Sequence, residues 1–254
     1  MEIEIFVGEL IGTAMLIVIG NGIVANQVLA KTKGNDTGWM LITVGWGLAV
    51  AISVYCVNRF SGAHLNPAVT LGLYSINELA SAQVATYLIA QMFGAFLGAI
   101  LVWLSYFSHW GVTDDADAKL AVFSTGPAIR APIPNLFCEF MGTLALVFGI
   151  LAIAANDGEL DTGSAGLFGT GIKPLLVGGL VAVIGMGLGG PTGFAINPAR
   201  DLGPRIAHQL LPLPGKRDSD WSYAWIPVVG PALGGVAGAL LFQMMDGLGS
   251  PISP

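Results

Sequence analysis

The chain has 254 residues, 54% of them hydrophobic and only 10% charged. A soluble domain carries about 25% charged residues, so this composition excludes an ordinary water-exposed fold and reads as a membrane protein. The net charge of −6, with no basic patch, excludes nucleic acid as a partner.

A membrane-spanning helix needs about 20 apolar residues, and six runs have that length: Ile5–Ala25, Trp39–Val57, Ala82–Phe107, Leu136–Ala155, Pro174–Gly190 and Trp225–Met245. The predicted fold class is an all-α membrane protein. The first run is not read as a cleavable signal, because Glu2 and Glu4 stand where a basic region belongs. Glu9 lies inside the first span and Glu139 at the equivalent place in the fourth. An intramembrane carboxylate is a functional candidate by default. It can relay protons in a coupled transporter, or it can accept hydrogen bonds from irregular backbone, and the symmetry of the two positions favours this structural support. Cys56 and Cys138 fall in apolar spans and read as small buried residues without a disulfide. Three histidines without ligand spacing give no metal site, and no cofactor is expected.

After the second span comes Asn66-Pro67-Ala68, and after the fifth comes Asn197-Pro198-Ala199. Asn is a favoured N-cap and Pro a favoured first helical residue, so each triplet starts a helix. The segments Pro67–Asn77 and Pro198–Leu210 reach only partway through a hydrocarbon core of about 30 Å. Non-helical backbone precedes each, and at membrane depth it survives only when buried in protein or lining a wet cavity. Its carbonyls then form a ladder of acceptors, from Gly62, Ala63, His64 and Leu65 on one side and from Gly193, Phe194 and Ala195 on the other. Each Asn oxygen is expected to cap its own helix, leaving the amide NH2 of Asn66 and of Asn197 as donors at the centre. Arg200 stands in the first turn of its helix, where the dipole disfavours a cation, and its fork of donors suits hydroxyl groups. Asp201 either pairs with Arg200 or supports the structure nearby.

The landmarks repeat in register. Glu9 and Glu139 are 130 residues apart, the triplets 131, and Gly47-Leu48 and Gly179-Leu180 132. Each half holds three spans and one interrupted segment, and three crossings are odd, so the second half enters from the opposite side as an inverted repeat. The repeats cover about 3–108 and 134–246 of a single domain, 1–254, with the connector, about 109–133, read as a surface loop. The connector and Asn156–Lys173 are candidate lids.

Ser61–Val69, SGAHLNPAV, and Gly193–Asp201, GFAINPARD, resemble the two signature segments of the major intrinsic protein family of aquaporins and glycerol facilitators. The likeness covers nearly the whole chain, and Gln91 and the glycine pattern fit it. It implies an aquaporin-like fold of six spans and two re-entrant half-helices, a pore in each subunit, and assembly as a homotetramer. It also implies a multi-pass protein of the plasma membrane with cytoplasmic termini; no enzyme activity is expected, since no nucleophile–base constellation appears. Alignment on the triplets places Trp46, Gly185, Phe194 and Arg200 at the family's selectivity filter. Water-selective members carry a histidine at the position of Gly185 and a smaller aromatic at that of Trp46, so this set is similar to glycerol facilitators. Asp201, Arg205 and Pro227 match that subgroup, while Val228 and Gly126 depart from it. The implied partners are glycerol, water and similar small neutral solutes within a lipid bilayer, with ions and protons excluded. The alternatives are a water-selective channel and a proton-coupled small-solute transporter.

Charge points the other way on orientation. With cytoplasmic termini, Lys31, Lys33, Lys119, Arg130, Lys216 and Arg217 fall outside, against Arg59 and Lys173 inside. The positive-inside rule alone would invert this. The charges are few and several lie in long loops, so the family topology is adopted.

Overall fold

The computed structural model describes residues 2–156 and 166–248. In chain order its helices are α1 (Glu2–Val28), α2 (Trp39–Ser61), α3 (Pro67–Ser75), α4 (Ser81–Ser105), α5 (Phe107–Trp110), α6 (Ala116–Phe123) and α7 (Pro132–Ala154), then, after a π-helical turn at Leu167–Ile172, α8 (Lys173–Leu188), α9 (Pro198–Leu210) and α10 (Ile226–Asp246). Among the described residues six segments are long and apolar enough to cross a membrane: α1, α2, α4, α7, α10, and α8 with its π turn. Residues 157–165, within the candidate lid Asn156–Lys173, lie outside the described residues.

The spans sort their faces by spacing. On α2, Val44, Leu48, Ile52 and Tyr55 are exposed in a stripe of three- and four-residue steps. Cys56 shares this face and is exposed, and Cys138 is half-buried, so neither is the buried residue expected from an apolar run alone. On α4 the buried stripe is Ala90, Gly94, Ala95, Gly98, Ala99 and Val102. Small residues there let helix backbones approach closely.

The two short helices start as expected and stop for local reasons. Asn66 accepts from Ala68 N–H at 2.8 Å and Asn197 from Ala199 N–H at 3.1 Å, with Pro67 and Pro198 in the first turn. α3 ends two residues before the expected Asn77, because Ile76 leaves helical geometry and Asn77 turns left-handed at φ 65°. At 9 and 13 residues, the pair are about 14 Å and 20 Å long, too short to span.

These half-helices hold the two halves together. α3 packs against α10, α9 against α4, and α2 against α8. Gly203 of α9 permits one such approach, since a Cβ there would lie 2.7 Å from Ala95 Cβ.

The connector is not the surface loop that its prolines suggested. It folds into α5 and α6, and α6 packs against α1 and α9. Trp110 and Phe123 are buried with ring centroids 5.7 Å apart. Asp115 caps α6 by accepting from Asp117 and Ala118 N–H. The Lys119 ammonium donates to the Pro214 carbonyl across the cover. Burying two large aromatic rings is worth about 1.5–3 kcal/mol each, enough to draw an otherwise polar connector onto the helix ends. Pro132 belongs to α7 as an N-terminal helical residue, not to the loop.

Candidate functional site

Two backbone excursions lead into the half-helices, and both depart from ordinary geometry in the same register. Gly62, Ala63 and Leu65 have φ of 75°, 51° and 52°, and Gly193, Phe194 and Ile196 have φ of 85°, 40° and 42°. Left-handed conformations in non-glycine residues cost about 1–3 kcal/mol each and need surroundings that hold them. Glu9 and Glu139 supply the hold.

Glu9 is wholly buried. Its Oε1 accepts from Ser61 Oγ at 2.7 Å and His64 N–H at 2.9 Å, and its Oε2 from Leu65 N–H at 2.7 Å and Gln91 Nε2 at 2.8 Å. Glu139 accepts from Ala195 N–H at 3.0 Å and Ile196 N–H at 2.8 Å. A planar trans peptide points its C=O opposite its N–H. Where the amides of His64, Leu65, Ala195 and Ile196 turn toward a buried carboxylate, the carbonyls of Ala63, His64, Phe194 and Ala195 turn away from it. All four of these residues line one cavity of about 260 Å³. Gly62 lines it too, whereas Gly193 does not.

At the meeting point of the half-helices, the two Asn side chains cross. Asn66 Nδ2 donates to Ile196 C=O and Asn197 Nδ2 to Leu65 C=O, each at 2.8 Å. Each amide therefore spends one of its two hydrogens on the opposite loop and keeps one, not both. The Leu65 carbonyl, expected to serve a solute, is engaged by Asn197.

Beyond the crossing lie the four residues of the expected filter. Trp46, Phe194 and Arg200 line the cavity, and Gly185 stands behind it. A Cβ on Gly185 would come within 2.9 Å of Phe194 Cε2 and Cζ, so this glycine gives the Phe194 ring its place. Trp39 packs edge-on against that ring, with centroids 5.7 Å apart, and donates its indole N–H to Gly185 C=O at 3.1 Å. The Arg200 guanidinium lies over Trp46 with Cζ 4.3 Å from the ring centroid, a cation–π contact. Its Nη1 is buried without a hydrogen-bond partner among the described residues.

Asp201 does not pair with Arg200. It takes Arg205 Nε at 2.9 Å, one helical turn on, and accepts from Thr125 N–H and Oγ at 2.7 Å each. Arg205 also donates to the carbonyls of Ser219 at 2.8 Å and Thr125 at 2.9 Å. Both members of the pair are fully buried. The four-residue spacing of Asp201 and Arg205 was the available signal for this pair.

The rest of the wall was not picked out from sequence. Val50, Val54 and Asn58 continue a four-residue stripe from Trp46 down α2, and Leu146, Ile150 and Ala154 form another on α7. Val177 and Val181 of α8 complete an apolar wall. Tyr87 was also missed; its hydroxyl donates to Ser61 C=O at 2.5 Å and its ring stacks on His64 at 4.1 Å.

Known proteins resemble this chain along nearly its whole length. The profile of the family described as "Major intrinsic protein" matches residues 2–242. A "Probable glycerol uptake facilitator protein" of Thermotoga maritima is 55% identical over 242 residues, 95% of this chain and 99% of that protein. The "Glycerol uptake facilitator protein" of Bacillus subtilis is 50% identical over 238 residues, 94% of this chain and 83% of its own length. The X-ray structure of the aquaglyceroporin from Plasmodium falciparum matches with a TM-score of 0.84 at 30% identity, over 97% of both chains. With six spans, two half-helices and this match along its length, the chain belongs to the major intrinsic protein family.

Proposed function

We propose that the chain is a passive, energy-independent channel for glycerol and other small neutral solutes, also passing water and excluding ions and protons. The observation that carries this reading is the mixed wall of the cavity. Carbonyls from two loops and the donors Asn66, Asn197 and Arg200 meet apolar stripes from α2, α7 and α8. A polyol presents the matching pair of edges, hydroxyls along one side and C–H groups along the other. Relatives named for glycerol uptake at 50% and 55% identity support the solute class.

Each residue then has a role. Trp46 and Phe194 take the carbon edge, and Arg200 takes the hydroxyls. Gly185 keeps the aromatic corner open by leaving Phe194 room to sit back. Asn66 and Asn197 each offer one remaining amide hydrogen at the midpoint, where a passing hydroxyl or water must turn its oxygen. Two helix N-termini, each worth about half a positive charge, face the same point and oppose cations. Forced reversal of water orientation there interrupts proton conduction. Glu9, Glu139 and Asp201 hold the surrounding backbone. Gly62, Ala63, His64 and Ala195 supply acceptors in sequence along the path.

The whole chain, 1–254, serves as one channel domain of two repeats. It sits in the plasma membrane with cytoplasmic termini, forms homotetramers with a pore in each subunit, and carries no cofactor and no catalytic activity. Stopped-flow light scattering on proteoliposomes tests the core of this reading. Vesicles carrying the protein are expected to reswell in a glycerol gradient much faster than empty ones. Equal rates would overturn it, and fast water flow with no gain for glycerol would make it a water-selective channel.

A further inference from the structure

We propose that Gly20 of α1, a residue outside the filter, sets the filter's bore by giving the Trp46 indole its seat. The inference rests on the reading of the cavity as a polyol channel. Gly20 is buried and does not line the cavity. A Cβ there would stand 2.4 Å from Trp46 Cη2 and Cζ3 and 2.6 Å from Cε3, three successive carbons of the six-membered ring. Carbon atoms in contact lie about 3.5–4.0 Å apart. One methyl group at position 20 therefore drives the indole away by about 1 Å or more.

The helices cannot make that space. Behind α1, Gly94 and Gly98 of α4 lie against the Leu10 and Ala14 carbonyls, where a Cβ would come within 2.4 Å and 2.6 Å. Behind α2, Gly47 and Gly178 press their backbones together, where a Cβ on either would come within 2.4 Å or 2.5 Å of the other's carbonyl oxygen. Both backbones are already at closest approach. The room left to the indole is the cavity it lines, and its displacement narrows the passage beside Arg200 and Phe194.

The second half of the chain supplies an internal comparison. In the register that relates Glu9 to Glu139, Gly20 corresponds to Ile150. In the register that relates Gly47 to Gly179, Trp46 corresponds to Gly178. At that end the first helix carries a large side chain: Ile150 lines the cavity, and a Cβ on Gly178 would meet Gly47 and Ala51 of α2. Glycine at 20 thus accompanies the aromatic at 46 and is not a general need of the first helix.

The experiment compares glycerol and water permeability in the same proteoliposomes. Gly20→Ala is expected to lower the glycerol-to-water ratio about tenfold, in the range of overpacking penalties. Adding Trp46→Phe, whose ring is smaller, should bring the ratio of the double variant back to that of Trp46→Phe alone. Gly238→Ala is the control: it is as crowded, 2.5 Å from Leu144 O and 3.1 Å from Phe148 N, but joins α10 to α7, neither of which carries a filter residue. It should lower thermal stability and leave the ratio unchanged. An unchanged ratio in Gly20→Ala, or no recovery in the double variant, overturns the proposal. Should Gly20→Ala alone fail to assemble, recovery of assembly and glycerol flux in the double variant supports it, and continued failure overturns it. Wild-type vesicles that reject glycerol would instead sink the polyol reading itself.

Discussion

Replacing Glu9 with glutamine separates its two possible duties. The carboxylate accepts four hydrogen bonds, two of them from backbone amides. In glutamine, one oxygen becomes a donor. If the amide nitrogen takes the place of Oε2, it confronts Gln91 and Leu65 N–H. Gln91 can turn over, because its own Oε1 has no partner among the described residues. Leu65 N–H cannot, since its backbone is held at φ 52°. If the nitrogen takes the other place, the Ser61 hydroxyl rotates and His64 N–H is stranded instead. Either way one buried amide loses its acceptor, which costs about 1–3 kcal/mol. Glu9→Ala strands both amides, for about 2–6 kcal/mol. The assay pairs thermal unfolding in detergent with glycerol flux in proteoliposomes, with and without an imposed pH gradient. We expect Glu9→Gln to be destabilised by that amount, Glu9→Ala by more, and no gradient-driven uptake in any form. A Glu9→Gln protein of wild-type stability that has lost gradient-driven uptake would refute this, and would make Glu9 a proton relay.

Three further outcomes are expected. Gly185→His should sharply lower glycerol flux while water flux persists, because its Cβ, 2.9 Å from Phe194, drives that ring toward the pore; undiminished glycerol flux in the stopped-flow panel would contradict this. Asp201→Ala should cost about 3–5 kcal/mol by leaving the buried Arg205 charge uncompensated, read as a loss of thermal stability far beyond that of an exposed Asp→Ala change such as Asp114. Burial alone would raise the Asp220 carboxyl, but Arg130 and Ser222 outweigh it and hold the group below its ordinary value of 3.8. A carboxyl depressed in the folded state adds stability above that ordinary value, and the contribution is lost as pH falls through the folded one. Asp220→Asn should therefore be less stable than wild type at neutral pH, with the difference shrinking at the acid end of a pH series of unfolding curves.

The half-helices were legible because their signals are local. A cap, a proline and a length decide them, and α9 runs over Pro198–Leu210 as read from sequence. The glutamates were legible because an intramembrane charge is costly enough to stand out. The pore wall was not. Val50, Val54 and Ile150 lie on helices that are apolar all round, and a pattern of hydrophobic spacing cannot tell a face turned to lipid from one turned to a channel. The connector failed for a related reason. Its fold depends on Phe123 and Lys119 meeting His208 and Pro214, far away in sequence. Gly185 could be placed only by resemblance, since a glycine's function as vacant space is visible only once Phe194 stands beside it.

The crossed amides of Asn66 and Asn197 carry a consequence for ancestry. Each cap reaches out of its own repeat to fasten the other repeat's loop. A solitary repeat would have a half-helix whose cap grips nothing and a strained loop that nothing clasps. A forerunner of half this length could have had a working pore only as two copies set head to tail, each lending the other its clasp. In one chain the two ends are free to differ, and Gly20 at one end answers Ile150 at the other without loss of the shared centre.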